Sequence, residues 1–403
     1  MSRDTRSNTK AIQVVEIGGY QYGRALAEAK QYDDRNRLPG RLPGRSQIPP
    51  LTHCMNKRFT ANTASCLGTD IGSANAVRAR GAAQQDKRLI QHRLPDAASE
   101  LRALHAGLLA PQARIASKYF YDATGCGLFA DICRLPEYYV TRTEAAIFAS
   151  HQRQIAIHLP KNVQWLDVGC GDGLKSHPWL KATAARRFIG VDVAQESLLH
   201  AIEDAARSFL DLECLGVVAD LSLPFELQPI LAERTEWPAV FFYPGSSLGN
   251  FSPEGAVSLL STIRAHLNDR GALLIGVDLV KEPEFLEAAY NDKQGVTAAF
   301  NRNILHVVNR LTDADFDPDK FAHSAHFAAD AGRIEMRLVA REPMSVHIGQ
   351  EVRHFEIGEA ILTEYSHKYT VEGFVTMLDR AGYGRQHIWT DERGWFGVFL
   401  AQP

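Results

Sequence analysis

With 403 residues and 45% hydrophobic content, the chain can bury at least one large core, as one domain with a sizeable insertion or as two domains. The 44 Lys and Arg against 47 Asp and Glu leave a formal charge of −3, which gives no electrostatic reason to expect nucleic acid or an anionic membrane as partner. No apolar run is long enough to span a bilayer, the opening MSRDTRSNTK lacks the apolar stretch of a secretory signal, and the cysteines form no Cys-x-x-Cys pair, so reduced thiols in the cytoplasm, without a metal site, are the expectation.

Residues 1–95 read as an N-terminal extension, partly flexible and partly packed on the body. GYQYGRALAEAKQYDD (19–34) has helical composition, and 61–85 is Ala/Gly-rich and weakly patterned. Between them NRLPGRLPGRSQIPP (36–50) repeats Leu-Pro-Gly-Arg back to back, a Pro and Gly density that prevents a regular element. Compact sequence begins near 96, where DAASELRALHAGLLA has helical spacing and stops before Pro111. KYFYDATGCGLFADICRLPEYYVTRTEAAIFAS then starts aromatic-rich and turn-rich. Its tail predicts a helix from Thr141 or Thr143, with Glu144 in the first turn.

From 163 the pattern becomes strand–turn–helix. VQWLDVG (163–169), RRFIGVDVA (186–194), ECLGVVAD (213–220), PAVFFYPGSSLG (238–249) and GALLIGVDLV (271–280) read as strands, with a helix over 254–269. Strands alternating with helices predict an α/β fold with a largely parallel sheet, whose ligands bind beyond the carboxyl ends of the strands. Past 281 the rhythm stops: two helical pieces flank Gly295, a strand is predicted over 333–348, and a second run over 354–369 turns at Gly358. GFVTMLDRAGY and WTDERGWFGVFLA close the chain as a helix and a strand pair that complete the sheet. The expected division is a core over 146–280 and 370–403, and a smaller α+β domain from 96–145 and the insertion 281–369.

LDVGCGDG (166–173) places Gly169, Gly171 and Gly173 after the first strand, with Asp167 two residues before the first glycine. Glycines there let the backbone turn tightly and approach a ligand. The spacing is neither the dinucleotide fingerprint nor a phosphate loop. With no pyrophosphate to cradle, the expected guest is S-adenosylmethionine, whose sulfonium is positive and whose charge Asp167 favours. Asp192, ending the second strand, suits the ribose hydroxyls, and Asp220, ending the third, the adenine amino group. A nicotinamide cofactor, or a purely structural glycine turn, are the alternatives these residues leave.

TEYSHKY (363–369), if extended, points Glu364, Ser366 and Lys368 to one side and Tyr365, His367 and Tyr369 to the other. Glu364 and Ser366 then lie on one face, either as a solvated edge or as a grip on a ring N–H.

Taken with KYFYDATGCGLF, RLPEYYVTRTEA, PGSSLGNF, GVDLVKE, AYNDKQGVTAAFNRN and RIEM, that stretch makes residues 112–403 resemble the histidine Nα-methyltransferases of ergothioneine biosynthesis. The resemblance implies a class I (Rossmann-like) methyltransferase core with a smaller substrate-binding domain, S-adenosylmethionine as methyl donor, no metal, and transfer to the α-amine of histidine up to trimethylation. It implies that Tyr121 and Tyr138 line the histidine pocket and that Asn250 and Tyr290 hold its amino and carboxylate ends. Met336 walls the imidazole on this reading, while Glu364 and Ser366 hydrogen-bond its nitrogens. Gly169, Lys175, Asp192 and Asp220 fall on donor contacts. The chain departs from the family at its glycine turn, GCGDGLKS, and at Leu221, where a phenylalanine is common.

Methyl transfer to nitrogen is an in-line displacement and needs a positioned amine lone pair rather than a nucleophilic side chain. The amine must shed a proton, to water or through a hydroxyl such as that of Tyr138, with Asn250 orienting it. Each residue has a plainer role available: core aromatics for Tyr121, Tyr138 and Tyr290, a turn residue needing positive φ for Asn250, core packing for Met336 and a solvated charge for Glu364. A ring nitrogen of 5-thiohistidine, a tryptophan-derived amine, or an inactive methyltransferase-like binding module are the competing readings. The Glu364/Ser366 pair favours an imidazole, because an indole has one N–H and no acceptor. A small-molecule substrate and a monomer are expected.

Overall fold

The Val, Ile, Leu and Phe runs that read as strands pair into one sheet buried on both faces, as parallel strands require. The computed structural model describes residues 13–17, 88–92 and 96–403; the helical and Pro/Gly-rich readings over 19–34, 36–50 and 61–85 lie outside the described residues. The first seven strands are β1 (Gln13–Ile17), β2 (Arg88–His92), β3 (Gln164–Val168), β4 (Arg187–Asp192), β5 (Glu213–Val218), β6 (Ala239–Tyr243) and β7 (Ala272–Asp278). Next come β8 (Phe321–Ala328), β9 (Arg333–Ala340), β10 (Met344–Ile348), β11 (Glu351–Phe355) and β12 (Ala360–His367), and finally β13 (Arg385–Thr390) and β14 (Phe396–Gln402).

The central sheet runs β1-β2-β5-β4-β3-β6-β7-β14-β13. Its members from β1 to β7 pair in parallel, and β14 is antiparallel to both β7 and β13. Chain order reverses at β3 and β6, so a crevice opens beyond their carboxyl ends at the switch point. This order gives the α/β core with a largely parallel sheet that the strand–helix rhythm predicted, Rossmann-like as the family resemblance implied.

Helices α1 (Ala97–Leu109), α2 (Ala123–Ile132), α3 (Tyr139–His158), α4 (His177–Ala182) and α5 (Gln195–Ser208) all contribute to one apolar cluster, which holds Trp165, Phe188 and Phe242 from one face of the sheet. On the other face α6 (Gln228–Leu231), α7 (Pro253–Ala265) and α10 (Val371–Arg380) cover Leu166, Ile189 and Phe241. Helices α8 (Pro283–Tyr290) and α9 (Val296–Thr312) also pack into the first cluster, α8 through Leu286 and α9 through Phe300 and Ile304. A three-stranded antiparallel sheet, β12-β9-β8, and the β10–β11 hairpin complete the insertion.

Several local expectations are corrected. The single strand expected over 333–348 is two, interrupted at 341–343, where Pro343 has no N–H to continue a ladder. FAHSAHFA forms β8 although His and Ser at its half-buried positions hide the alternation. Helix α3 starts at Tyr139, so Glu144 sits in its second turn. The glycine-bearing ATGCGLFADI is helical: Asp122 caps it through Gly125 N, and a Cβ on Gly125 would stand 1.6 Å from Phe120 O, so close packing demands the glycine. Strand β2 of the extension pairs with β5, which its short sequence, RLIQH, did not announce. Among the described residues, no helix is long and apolar enough to cross a membrane.

Candidate active site

The loop after β3 carries Gly169, Gly171 and Gly173, all at positive φ (69°, 55° and 69°). A Cβ on Gly171 would meet nothing within 4 Å, and one on Gly169 only the Tyr243 ring at 3.9 Å. Gly173 differs: a Cβ there would press on Ala201 at 3.1 Å, so this glycine serves packing. Asp192 holds the turn, its Oδ2 accepting from Gly171 N (2.9 Å) and its Oδ1 from Ala194 N (2.8 Å). Burial raises its carboxyl, and the backbone donors oppose that.

Asp167 is buried beneath the turn. Its Oδ2 accepts from Ser176 Oγ at 2.6 Å, and that oxygen in turn accepts from Trp165 Nε1 at 2.8 Å. Its Oδ1 has no partner, and burial pushes the carboxyl up to about 7. A buried carboxylate oxygen without a donor, next to a backbone turn with open Cβ directions, fits a cationic ligand lying against the chain, as S-adenosylmethionine is.

Lys175 is held at 2.7 Å by Glu144 Oε2, while Glu144 Oε1 accepts from Gly245 N at 2.7 Å. That buried carboxylate thus joins α3, the glycine turn and the loop after β6. Asp220 accepts from Ser222 N and Oγ at one oxygen and from Lys118 Nζ (2.8 Å) at the other; Lys118 also reaches Glu100. Asp220 therefore has a protein cation on it, three residues before Tyr121. Lys118 and Ser222 hold it below the ordinary carboxylate value against the effect of burial.

Across the crevice the aromatic residues form a row. Phe120 stacks on Phe300 (4.5 Å), and Tyr121 lies edge-on to Phe300 (6.0 Å) and Phe129 (5.8 Å). Phe129 meets Tyr138 at 6.4 Å, and Tyr138 meets Tyr290 at 6.1 Å. Burial drives the phenols of Tyr121 and Tyr138 well above the ordinary value, so they stay protonated.

Strand β12 supplies the polar side of this row. Glu364 pairs with Met336 in register, which places both side chains on one face of the small sheet. The register slips at Thr363, whose hydroxyl donates to Asn301 Oδ1 (2.7 Å) or Met336 O (3.0 Å). Glu364 makes no hydrogen bond or ion pair among the described residues; burial pushes its carboxyl up to about 7, with the Lys368 charge opposing. Its charge reaches Tyr121, Tyr138 and Tyr290. Alternation holds through Lys368, which is buried and contacts Ser366 Oγ (2.9 Å), Tyr290 OH (2.9 Å) and Asp278 Oδ2 (2.8 Å).

Asn250 ends the turn Ser247–Asn250 after β6. It is not the positive-φ residue there; Ser246 is, at 61°, and its hydroxyl accepts from Asp278 N. The neighbouring Gly249 abuts β12, since a Cβ would come within 2.8 Å of His367 O. The fold thus gathers Tyr121, Tyr138, Tyr290, Met336, Glu364 and Ser366 about one row of rings, with Asn250 beside the end of β12. Asp167, the glycines, Lys175, Asp192 and Asp220 lie at the crevice.

Several residues of this arrangement carry no site role in the sequence, Lys118 among them. Glu144 reads there only as a helix-start acid. Asp278 is one more acid at a strand end, the signal that singled out Asp192 and Asp220. Lys281 and Tyr139 complete its shell: Lys281 Nζ lies 2.6 Å from Oδ1, and Tyr139 OH 2.8 Å from Oδ2. Burial and Lys368 lower Lys281 to about 8, with Asp278 opposing.

Residues 100–403 match the family model described as histidine-specific methyltransferase, SAM-dependent. Over 315 residues the chain is 39% identical to a histidine N-alpha-methyltransferase of Mycolicibacterium smegmatis, covering 76% of this chain and 96% of that one. The corresponding protein of Mycobacterium tuberculosis is 35% identical over 306 residues, covering 74% and 94%. An L-tryptophan methyltransferase of Psilocybe serbica matches more narrowly, 27% over 163 residues, 39% of this chain and 44% of that one. A sheet with the Rossmann-like order, a glycine turn over a buried carboxylate, and a match spanning three quarters of the length agree: the chain belongs to the family of histidine-specific, S-adenosylmethionine-dependent methyltransferases.

Proposed function

We propose that this enzyme methylates the α-amine of L-histidine, up to the trimethylated product. The observation that supports this most is Glu364: a carboxylate without a protein partner, in electrostatic reach of three tyrosines and on one face with Met336 and Ser366. Such a group is costly to bury unless a ligand supplies a donor, and an imidazole N–H is that donor.

S-adenosylmethionine supplies an activated methyl carbon whose bond to sulfur breaks, with its electron pair, as the new bond to nitrogen forms. The protein must bring the amine lone pair to within about 3 Å of that carbon. Glu364, Ser366 and Met336 fix the ring end, Tyr121 and Tyr138 line the pocket, and Asn250 holds the amino acid backbone, while Tyr290, expected at the carboxylate, has its hydroxyl 2.8 Å from Ser366 Oγ and braces the ring end instead. Tyr138, its phenol held protonated, orients the amine and relays its proton to water rather than acting as a base. On the donor side Asp167 favours the cation, Gly169 and Gly171 give the backbone approach, and Asp192 and Asp220 take the ribose and adenine. Adenine then competes with Lys118 for Asp220, and Lys175, held by Glu144, follows the glycine turn on the donor side.

On this reading residues 146–280 with 370–403 are the catalytic core, and 96–145 with 281–369 the substrate-binding part. A cytoplasmic monomer completes the reading. The test is mass spectrometry of products from the purified protein, the donor and L-histidine, expected to show one, two and three added methyl groups on the α-nitrogen. Ring methylation, or turnover of 5-thiohistidine alone, refutes the substrate assignment; absence of donor binding refutes the enzyme assignment.

A further inference from the structure

One buried ammonium sets the direction of the hydrogen bonds at the floor of the pocket. Lys368 Nζ lies 2.8 Å from Asp278 Oδ2, 2.9 Å from Tyr290 OH and 2.9 Å from Ser366 Oγ, so its three hydrogens are committed. Tyr290 OH and Ser366 Oγ are 2.8 Å apart and share one more hydrogen bond. Two hydroxyls carry two hydrogens, and one of them fills the shared bond. Both oxygens already accept from Lys368, and neither hydroxyl has another protein acceptor among the described residues. A single O–H is therefore left to leave the cluster. A phenol is the better donor and the poorer acceptor, so the shared hydrogen runs from Tyr290 to Ser366, and the outgoing one belongs to Ser366.

We propose that Lys368 is a specificity-determining positioning residue: by donating to both hydroxyls it commits Ser366 to donate to the substrate ring, while Glu364 on the same strand face accepts from it. This inference rests on the proposed function above. Lys368 touches neither substrate nor donor and acts through Ser366. The site then demands a ring with one N–H and one acceptor nitrogen, a neutral imidazole. A pyrrole or indole satisfies Glu364 but leaves the Ser366 hydrogen buried without an acceptor, which sites built on hydrogen bonds reject strongly.

The test compares kcat/KM for L-histidine and for β-pyrrolylalanine, which keeps the N–H and lacks the acceptor, with S-adenosylhomocysteine affinity measured alongside. Lys368→Met leaves Asp278 with Lys281 and Tyr139, so no lone buried charge is created. The wild type is expected to prefer histidine by on the order of 100-fold or more, Lys368→Met by about tenfold or less through KM, with donor-analogue affinity within about twofold. Ser366→Ala should show the same narrowing, and the double variant little more. A Lys368→Met enzyme that loses activity on both substrates equally, with its preference intact, has lost only structure and overturns the inference. Should that variant not fold, Tyr290→Phe and Ser366→Ala decide: the inference requires preference kept in the first and lost in the second, and the reverse overturns it. A wild type inactive on histidine fails the proposed function instead.

Discussion

At the scale of single residues, the site rests on two carboxyls raised by burial. Glu364 and Asp167 both stand at about 7, above the ordinary carboxylate range, so each favours the folded state while protonated, and that contribution is lost as pH rises through about 7. The ionised forms are the ones that suit an N–H donor and a cation. Glu364→Gln should raise KM for histidine by about 10- to 100-fold and leave donor affinity unchanged, because a charged acceptor contributes roughly 1.5–3 kcal/mol. The ratio of mutant to wild-type KM should grow as pH rises through about 7, where the wild-type carboxylate ionises; a flat ratio returns Glu364 to a surface role. Asp167→Asn should instead weaken S-adenosylmethionine more than its neutral product, by about tenfold, as read by calorimetry of both ligands.

At the scale of elements, the short helix α2 and the long helix α3 place the pocket. Asp122 caps α2 and also accepts from Asn303 of α9, so the Tyr121 segment is tied to the helix bearing Phe300. Gly125→Ala forces a Cβ into Phe120 O and should cost about 3 kcal/mol or more, seen as a lowered Tm together with a raised histidine KM. Glu144→Ala frees Lys175 and leaves Gly245 N without its acceptor. Donor affinity should fall by roughly tenfold while histidine affinity measured without donor is kept, because the tie lies on the donor side of the crevice. A composition-based reading misses α2 because its glycines are poor helix formers; close packing against residue 120 selects Gly125, while Gly127 has open space around it.

At the scale of the whole molecule, the proposed donor site lies on the core sheet and the proposed ring site on residues 96–145 with the insertion, and two ion pairs, one part-buried and one fully buried, join them. Lys118 binds Asp220 at the end of β5, and Lys368 binds Asp278 at the end of β7. A ligand that binds only the folded chain stabilises it by mass action, about 2.7 kcal/mol at 100 times its Kd. S-adenosylhomocysteine at that excess should raise Tm by several degrees in a single transition covering core and insertion. Two separate transitions, with only one moved by the ligand, would show that these ties do not couple the parts.

Much of the core was legible because its signals are local. Buried parallel strands demand continuous apolar runs, a turn against a ligand demands glycine, and strand ends display their acids, so β3 to β7, Gly169, Gly171, Asp192 and Asp220 could be read from the chain. TEYSHKY was legible in the same way, since a period of two puts Glu364, Ser366 and Lys368 on one side. The strings shared with a known family carried the ring-site assignments, which no periodicity dictates. Only the tertiary structure decided what depends on residues distant in sequence. Asp278 becomes the anchor of Lys368 because β7 and the end of β12 meet; Glu144 becomes a clamp because Gly245 closes on it from 101 positions away. Asp167 is a buried carboxylate with one oxygen unpartnered because the sheet and its helices exclude water from it. The sequence names the chemical groups, and burial and long-range pairing set their charge and direction.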